Sequence, residues 1–309
     1  MLRPTALPVR AVRRALLAWY TRHGRPLAFR ATREPWSVLV SEVMAQQTQV
    51  ARVEPAWQAF VARFPTPAAL AAASPAAALQ AWAGLGYNRR ALQLQRAAAA
   101  IVERHGGLVP EEPGDLERLP GVGPYTARAV AAIAYGRAVG ALDTNGRRVL
   151  GRVSGAAGET VLRQVADRLV DPDRAADSTH ALMDLGATVC RPVPACDACP
   201  LRGWCVTGAA LAAGKATPVP LRPARRRLTR TAGAGFPATR RWLRGRLVAR
   251  LRDAAAGEWQ HLDGPLGTHP PEAVRAALRD LAAEGMVELD PAGRARLPAT
   301  APAATMARP

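Results

Sequence analysis

Residues 119–147 read LPGVGPYTARAVAAIAYGRAVGALDTNGR, and this stretch decides the fold. Gly121 and Gly123 flank Val122 in a tight turn, and a helical pattern follows from Tyr125. Such a turn at a helix N-terminus points backbone N–H groups outward, where they suit a phosphate. The apolar pair Ala141-Leu142 then leads to a lone acid, Asp143. Two uses stay open for each feature. The turn either grips phosphate or simply joins two helices. Asp143 either does chemistry or caps the helix that starts near Asn145. In the first case Asn145 is a second polar group that orients it.

On either side of this stretch, apolar residues recur at helical spacing. Val9–His23 reads as a helix stopped by Gly24. Trp36–Phe60 carries Trp36, Leu39, Val40, Val43 and Met44 on one face, with Pro55 expected to break or restart it. Further helices are expected over Pro67–Ala73, Ser74–Ala83, Arg89–His105, Asp115–Leu119, Asn145–Val153, Gly158–Leu169 and Asp177–Val189. Ser74-Pro75 has the form of an N-cap followed by proline at the first helical position. No alternating β pattern occurs before residue 285, so the fold class is mainly α.

A chain of 309 residues suggests about two domains and can bury a substantial core. The net charge of +18 points to a polyanion, most simply nucleic acid. Nearly all of this charge is arginine, a usage that a GC-rich genome would also produce; Lys215 is the only lysine. No run of about eighteen apolar residues offers a membrane span. The first thirty residues are Arg-rich and acid-poor, as in a transit peptide. However, Val12–Tyr20 already forms an amphipathic helical pattern, so a cytoplasmic protein is expected.

From Thr217 to Pro237 the composition shifts to Pro, Arg, Thr and Gly, with a basic run at Arg222–Arg230, which reads as a linker. Helical patterns at Arg241–Arg252 and Pro271–Glu284 precede a hairpin over Met286–Leu297. Val274, Leu278 and Leu281 give the second helix an apolar stripe. Helix, helix and a two-stranded wing together suggest a winged-helix-like unit. The Ala/Pro/Thr tail from Pro298 reads as disordered.

The four cysteines, Cys190, Cys196, Cys199 and Cys205, lie within sixteen residues of a chain that has no others. Their clustering means one site, and a cytosolic setting argues against disulfides. Zinc and an iron–sulfur cluster both suit thiolates. Structural zinc usually takes two CxxC knuckles separated by a longer span. Here one CxxC sits between two short spacers, which favours a loop wrapped around one 4Fe–4S cube acting as a structural staple.

Glu42 lies at the border of an apolar helix face, between Val38–Val40 and Val43. A carboxyl placed there is partly desolvated, its pKa rises, and it becomes a general acid at neutral pH. The alternative is a glutamate that reaches from the helix flank to water. Gln46, Gln47 and Gln49 add amides one turn further on, which either read or replace bases or line a solvated face.

The sequence closely resembles the helix–hairpin–helix DNA glycosylases through LPGVGPYTA (119–127), LDTN (142–145) and the four-cysteine loop after MDLGATVC (183–190). SEVMAQQTQV (41–50) and GLGYNRR (84–90) make it similar to the MutY-type adenine-specific branch. The motifs cover residues 12–205 and are highly specific in combination. The resemblance implies a two-lobed helical fold. A six-helix barrel domain with the hairpin spans 28–137, and a cluster domain spans 1–27 and 138–212. A basic linker follows at 213–236, then the winged-helix-like module at 237–297 and the tail at 298–309. It also implies a monomer acting on double-stranded DNA with an A:8-oxoguanine or A:G mismatch, in a bacterial cytoplasm.

The chemistry implied by the resemblance is base flipping and hydrolysis of the adenine N-glycosidic bond, one acid protonated and one ionised. Glu42 protonates adenine N7 and Asp143 stabilises the oxocarbenium-like sugar, supported by Tyr125 and Asn145. Gln47 and Tyr87 wedge into the duplex, and Asp184 lies near the flipped adenine. Gln46, Thr48, Arg30, Gly121 and Gly123 complete the DNA-facing set. Endonuclease III-like relatives use a lysine after the hairpin to cut the strand. This chain has no lysine before Lys215, leaving monofunctional base removal. A thymine or uracil mismatch glycosylase is the alternative, opposed by Glu42, because N7 protonation needs a purine. A cluster-bearing DNA-binding regulator is a third reading, one with no use for the acid pair.

Several positions depart from the family pattern. The first cysteine spacer has five residues where six are expected, residues 27–30 read Leu-Ala-Phe-Arg rather than Leu-Pro-Trp-Arg, and Asn88 replaces an aromatic residue. Residues 237–297 are too short and too helical for a NUDIX-like domain and are more similar to the compact module of actinobacterial-type relatives. Arg294 and Arg296 of the wing are candidates for DNA contact.

Overall fold

The structure, a computed structural model, describes residues 7–214, 235–255 and 257–299. Lys215, the basic run Arg222–Arg230 and nearly all of the expected linker and tail lie outside these residues. In chain order the helices are α1 (Val9–His23), α2 (Pro35–Ala45), α3 (Val50–Arg63), α4 (Pro67–Ala71), α5 (Pro75–Ala81), α6 (Arg89–His105) and α7 (Pro113–Glu117). They continue as α8 (Pro124–Tyr135), α9 (Thr144–Ser154), α10 (Glu159–Leu169), α11 (Ala175–Asp184), α12 (Val206–Ala212), α13 (Arg240–Asp253) and α14 (Pro271–Ala283). Strands β1 (Glu288–Leu289) and β2 (Ala295–Arg296) pair antiparallel, Glu288 opposite Arg296. No helix among the described residues is long and apolar enough to cross a membrane.

Local chemistry sets the boundaries. Ser74 and Thr66 cap α5 and α4 by accepting from the N–H groups of Ala77 and Ala69. The break expected at Pro55 falls earlier: Pro55 sits inside α3, and the chain turns between α2 and α3, where Gln47 adopts φ 55°. A left-handed residue interrupts the helix more completely than a proline that lacks one N–H. The helix expected to run to Val189 ends as α at Asp184 and continues as a π-helical turn over Leu185–Val189.

By internal contacts the chain forms two units. The first is drawn from 1–42, 110–118 and 122–226, and the second from 43–109, 119–121 and 227–309. In the first unit, α1, α9, α10 and α11 enclose a core of Val12, Leu16, Trp19, Val149, Leu150, Leu182 and Leu185. In the second, Phe60 packs edge-on against Phe64 and Trp82, with centroids 5.0 and 5.8 Å away. Buried Gln95 on α6 donates to the carbonyl of Ala73 at 2.7 Å and satisfies the end of α4.

Residues 237–297 belong to this second unit. The Ala76 N–H donates to the Pro298 carbonyl at 3.0 Å, and Arg252 donates to Asn88 Oδ1 at 2.8 Å. The two wing arginines are occupied locally. Arg294 pairs with Asp290 and Arg296 with Glu288, at 2.6 and 2.7 Å, and Arg296 also lies 4.3 Å over the Trp259 ring.

Candidate active site

The acid site is built entirely within the first unit. The backbone N–H groups of Trp36 and Ser37 bond to Glu34, whose carboxylate starts α2. One apolar face of α2 then faces inward, and Glu42, at its far end, is 8% exposed. The Tyr125 hydroxyl, in the first turn of α8, donates to Glu42 Oε2 at 3.0 Å and also lies 3.7 Å from Met183 Sδ. Burial pushes the Glu42 carboxyl up to about 7, against the Tyr125 hydrogen bond and the positive field of Arg30; the negative field of Asp143 adds to the rise. Burial, together with the Glu42 and Asp143 charges, raises the Tyr125 hydroxyl well above its usual range, so it stays a donor.

Asp143 has a different environment. Half-buried, it caps α9, its Oδ1 accepting from the Gly146 N–H at 2.6 Å. The capping use and proximity to Glu42 therefore coexist. Of the two residues expected to support Asp143, Tyr125 bonds to Glu42, because its position at the start of α8 carries the hydroxyl to α2, and it also lies within the field of Asp143. Asn145 Oδ1 accepts from Arg148 at 2.7 Å, and the same guanidinium nitrogen donates to the Gly186 carbonyl at 2.7 Å. A Cβ on Gly186 would lie 2.6 Å from the Asn145 Cβ, so only glycine lets the π-helical turn approach α9 this closely.

Asp184, completely buried, is held by two arginines. Arg30 grips both carboxylate oxygens, at 2.8 and 2.9 Å, while Arg25 adds its backbone N–H at 2.9 Å and its Nε at 2.6 Å. Burial alone would raise this carboxyl, but the Arg30 and Arg25 hydrogen bonds outweigh it and hold it below the ordinary range. Asp184 thus fixes Arg30, which in turn biases Glu42. Arg25 attracted no notice in the sequence because it sits in a loop with no periodic signal.

In the second unit, exposed Gln47 and Tyr87 are the two non-glycine residues with positive φ among the described residues, at 55° and 47°. Arg90 ties their turns together. It donates to the carbonyls of Val43 and Met44, each at 2.8 Å, to Thr48 Oγ1 at 2.9 Å and to the Gly86 carbonyl at 3.1 Å. Burial lowers its guanidinium to about 10. Arg90 closes the quoted GLGYNRR motif, yet sequence alone gave no hint that its fork would bridge two turns 40 residues apart. Gln46 and Thr48 lie in the first of these turns, and the Thr48 hydroxyl donates to the Gln46 carbonyl at 3.3 Å.

The two hairpin glycines differ. Gly121 has φ +80°, and a Cβ there would lie 2.7 Å from that of Gln93. Gly123 is exposed, and a Cβ there would meet nothing within 4 Å. Internal packing therefore requires glycine at 121 but not at 123.

All four cysteines line one small pocket with Val149, Val153, Leu185, Val189 and Leu211. No three His, Cys, Asp or Glu side chains among the described residues come together as a single-ion site. Arg152, 4% exposed, reaches Cys190 Sγ at 3.5 Å and the carbonyls of Arg191 and Pro192 at 2.6 and 2.8 Å. Its hydrogen-bond partners include no carboxylate, so the buried guanidinium calls for negative charge at the sulfurs. The Gly208 N–H donates to Cys205 Sγ at 3.2 Å. Burial raises the Cys199 thiol to about 11. Four thiolates around one small pocket, beside a buried arginine, could hold a thiolate-bound group of net negative charge.

Residues 40–171 match the HhH-GPD superfamily base excision DNA repair protein family. An adenine DNA glycosylase of Mycolicibacterium smegmatis is 42% identical over 90% of this chain and 93% of its own. The chain belongs to the adenine DNA glycosylase family. A Mycobacterium tuberculosis adenine DNA glycosylase is 44% identical over 77% of this chain and 78% of its own. The solved structure of a thermostable thymine-DNA glycosylase is similar with a TM-score of 0.62 and 25% identity, covering 65% of this chain and 96% of that one. The mainly helical helix–hairpin–helix fold read from the sequence stands.

Proposed function

We propose that this protein removes adenine mispaired with 8-oxoguanine or guanine from duplex DNA by hydrolysing its N-glycosidic bond. The observation carrying this reading is Glu42: a buried carboxyl at about 7, held by Tyr125, within the field of Asp143. Near neutral pH a group at that value is both substantially protonated and a competent donor. Glu42 donates its proton to adenine N7, so that the electrons of the breaking C1′–N9 bond pass to a neutral leaving base. Asp143 faces the positive charge that develops on the sugar until water adds at C1′ and releases a proton to solvent. Asp184 acts through Arg30, holding its charge where it limits the rise at Glu42.

Gln47 and Tyr87 are assigned to the duplex, and the open surface at Gly123 to a DNA phosphate. Cys190, Cys196, Cys199 and Cys205 hold a 4Fe–4S cluster that staples the chain between α11 and α12. With no lysine before Lys215, the reaction stops at the abasic site.

Single-turnover incubation with A:8-oxoguanine, A:G, T:G and U:G duplexes tests the reading. Strand scission should follow only after alkali, on the adenine strand. Release of thymine without adenine would overturn it in favour of a thymine mismatch glycosylase. Brown protein with four irons per chain is expected, and a colourless zinc protein would refute the cluster.

A further inference from the structure

Tyr87 occupies an uncommon backbone region and yet is 40% exposed. Left-handed non-glycine residues cost roughly 1–3 kcal/mol and persist only where surrounding groups over-determine them. Arg90 holds the backbone just before Tyr87 through the carbonyls of Leu85 and Gly86, and its own backbone N–H bonds to the Tyr87 carbonyl, while α13 holds the side chains. The Arg241 guanidinium lies 4.0 Å from the Tyr87 ring centroid and 5.9 Å from that of Phe236. Arg252 bonds to Asn88, the next residue in the turn, at 2.8 Å. Positions 241 and 252 are eleven residues apart, about three helical turns, and so share one face of α13. Gly245 and Val248 lie on the same stripe: Gly245 lines the cleft beside the turn, and Val248 is buried.

This cleft, of about 890 Å³, is lined by Gln47, Tyr87, Asn88, Arg240, Arg241 and Arg244, among others. Two of its three arginines from α13 have acid partners: Arg240 pairs with Asp280, and Arg244 with Glu284 at 2.8 Å. Arg241 instead has two aromatic rings.

We propose that Arg241 is a positioning residue for the glycosylase reaction: by stacking on Tyr87 it makes the C-terminal module a clamp that presents this ring to DNA. The module therefore acts on the reaction through the Tyr87–Asn88 turn. The inference rests on the assignment of Tyr87 to the duplex. The Arg241 guanidinium at 4.0 Å and the Arg90 guanidinium at 5.7 Å from the ring centroid fix the ring's direction before DNA arrives, while the side chain stays 40% exposed, reducing the ordering needed on binding.

The test is a double-mutant cycle in the full-length enzyme with Tyr87→Ala, Arg241→Ala and the pair, with thermal melts to verify folding. Single-turnover rates and duplex affinities are read at several salt concentrations on an adenine:8-oxoguanine duplex. Arg241→Ala should slow productive engagement about fivefold but change almost nothing once Tyr87 is already alanine, and the salt slope should be unchanged. Arg241→Lys should recover only part of the loss. Additive effects with a shallower salt slope would mean that Arg241 contacts phosphate directly, and the proposal fails. A silent Arg241→Ala beside an impaired Tyr87→Ala also overturns it. A silent Tyr87→Ala refutes the duplex assignment itself, and the clamp with it.

Discussion

Glu42 and Asp143 are both carboxylates of the first unit, close enough to influence each other, but their surroundings are opposite. Glu42 is deeply buried on an apolar helix face, with one neutral hydroxyl as its hydrogen-bond donor. Asp143 is half-exposed at a helix N-terminus, where it accepts from the Gly146 N–H. Thus burial sets Glu42 up to hold a proton, whereas Asp143 stands half-exposed at a helix cap. Environment, rather than residue type, divides the roles.

The most severe way to break this contrast is Asp143→Asn. Asparagine caps a helix as well as aspartate does, so folding and DNA binding should survive. Base release in single-turnover assays should fall at least about 10³-fold. A mild loss would reduce Asp143 to its capping role.

Glu42→Gln should cost about 10²-fold or more in rate and abolish the dependence on a group near pH 7. Its stability effect has the opposite sign. A carboxyl raised in the folded state favours folding below its unfolded value, 4.5, and that contribution is lost as pH rises through about 7. At pH 8 the glutamine variant should therefore be more stable than the native chain, by on the order of 3 kcal/mol. A lower melting temperature at pH 8 would contradict the buried acid.

Tyr125→Phe sharpens the comparison. The tyrosine hydrogen bond holds Glu42 down, so its removal should move the alkaline fall in activity to higher pH, as read from a pH–rate profile. A shift to lower pH would show that the hydroxyl stabilises the protonated acid instead.

The smallest effect concerns the hairpin. Gly123→Ala meets no atom of the protein, so melting should barely change while duplex affinity drops several-fold if phosphate approaches there. Unchanged affinity would leave Gly123 only its place as the residue before α8.

Much of this was legible in the sequence. Helix positions followed from apolar spacing, capping residues and glycine stops, which are local in the chain, and α1 matches its expected bounds, Val9–His23. Glu42 stood out as an acid on an apolar stripe, and the cysteine spacing declared one site. Pro55 misled, because the left-handed turn at Gln47, not the proline, sets the break, and nothing local announces a positive φ at glutamine.

Only the tertiary structure decided which groups meet across long separations. It directed Tyr125 to Glu42, wrapped Arg25 and Arg30 around Asp184, set Arg90 between two turns, and placed Arg241 on Tyr87. The side chains involved are long, and their reach depends on where distant helices pack. Periodicity records which face of a helix is buried; the partner across that face is fixed by three-dimensional packing alone.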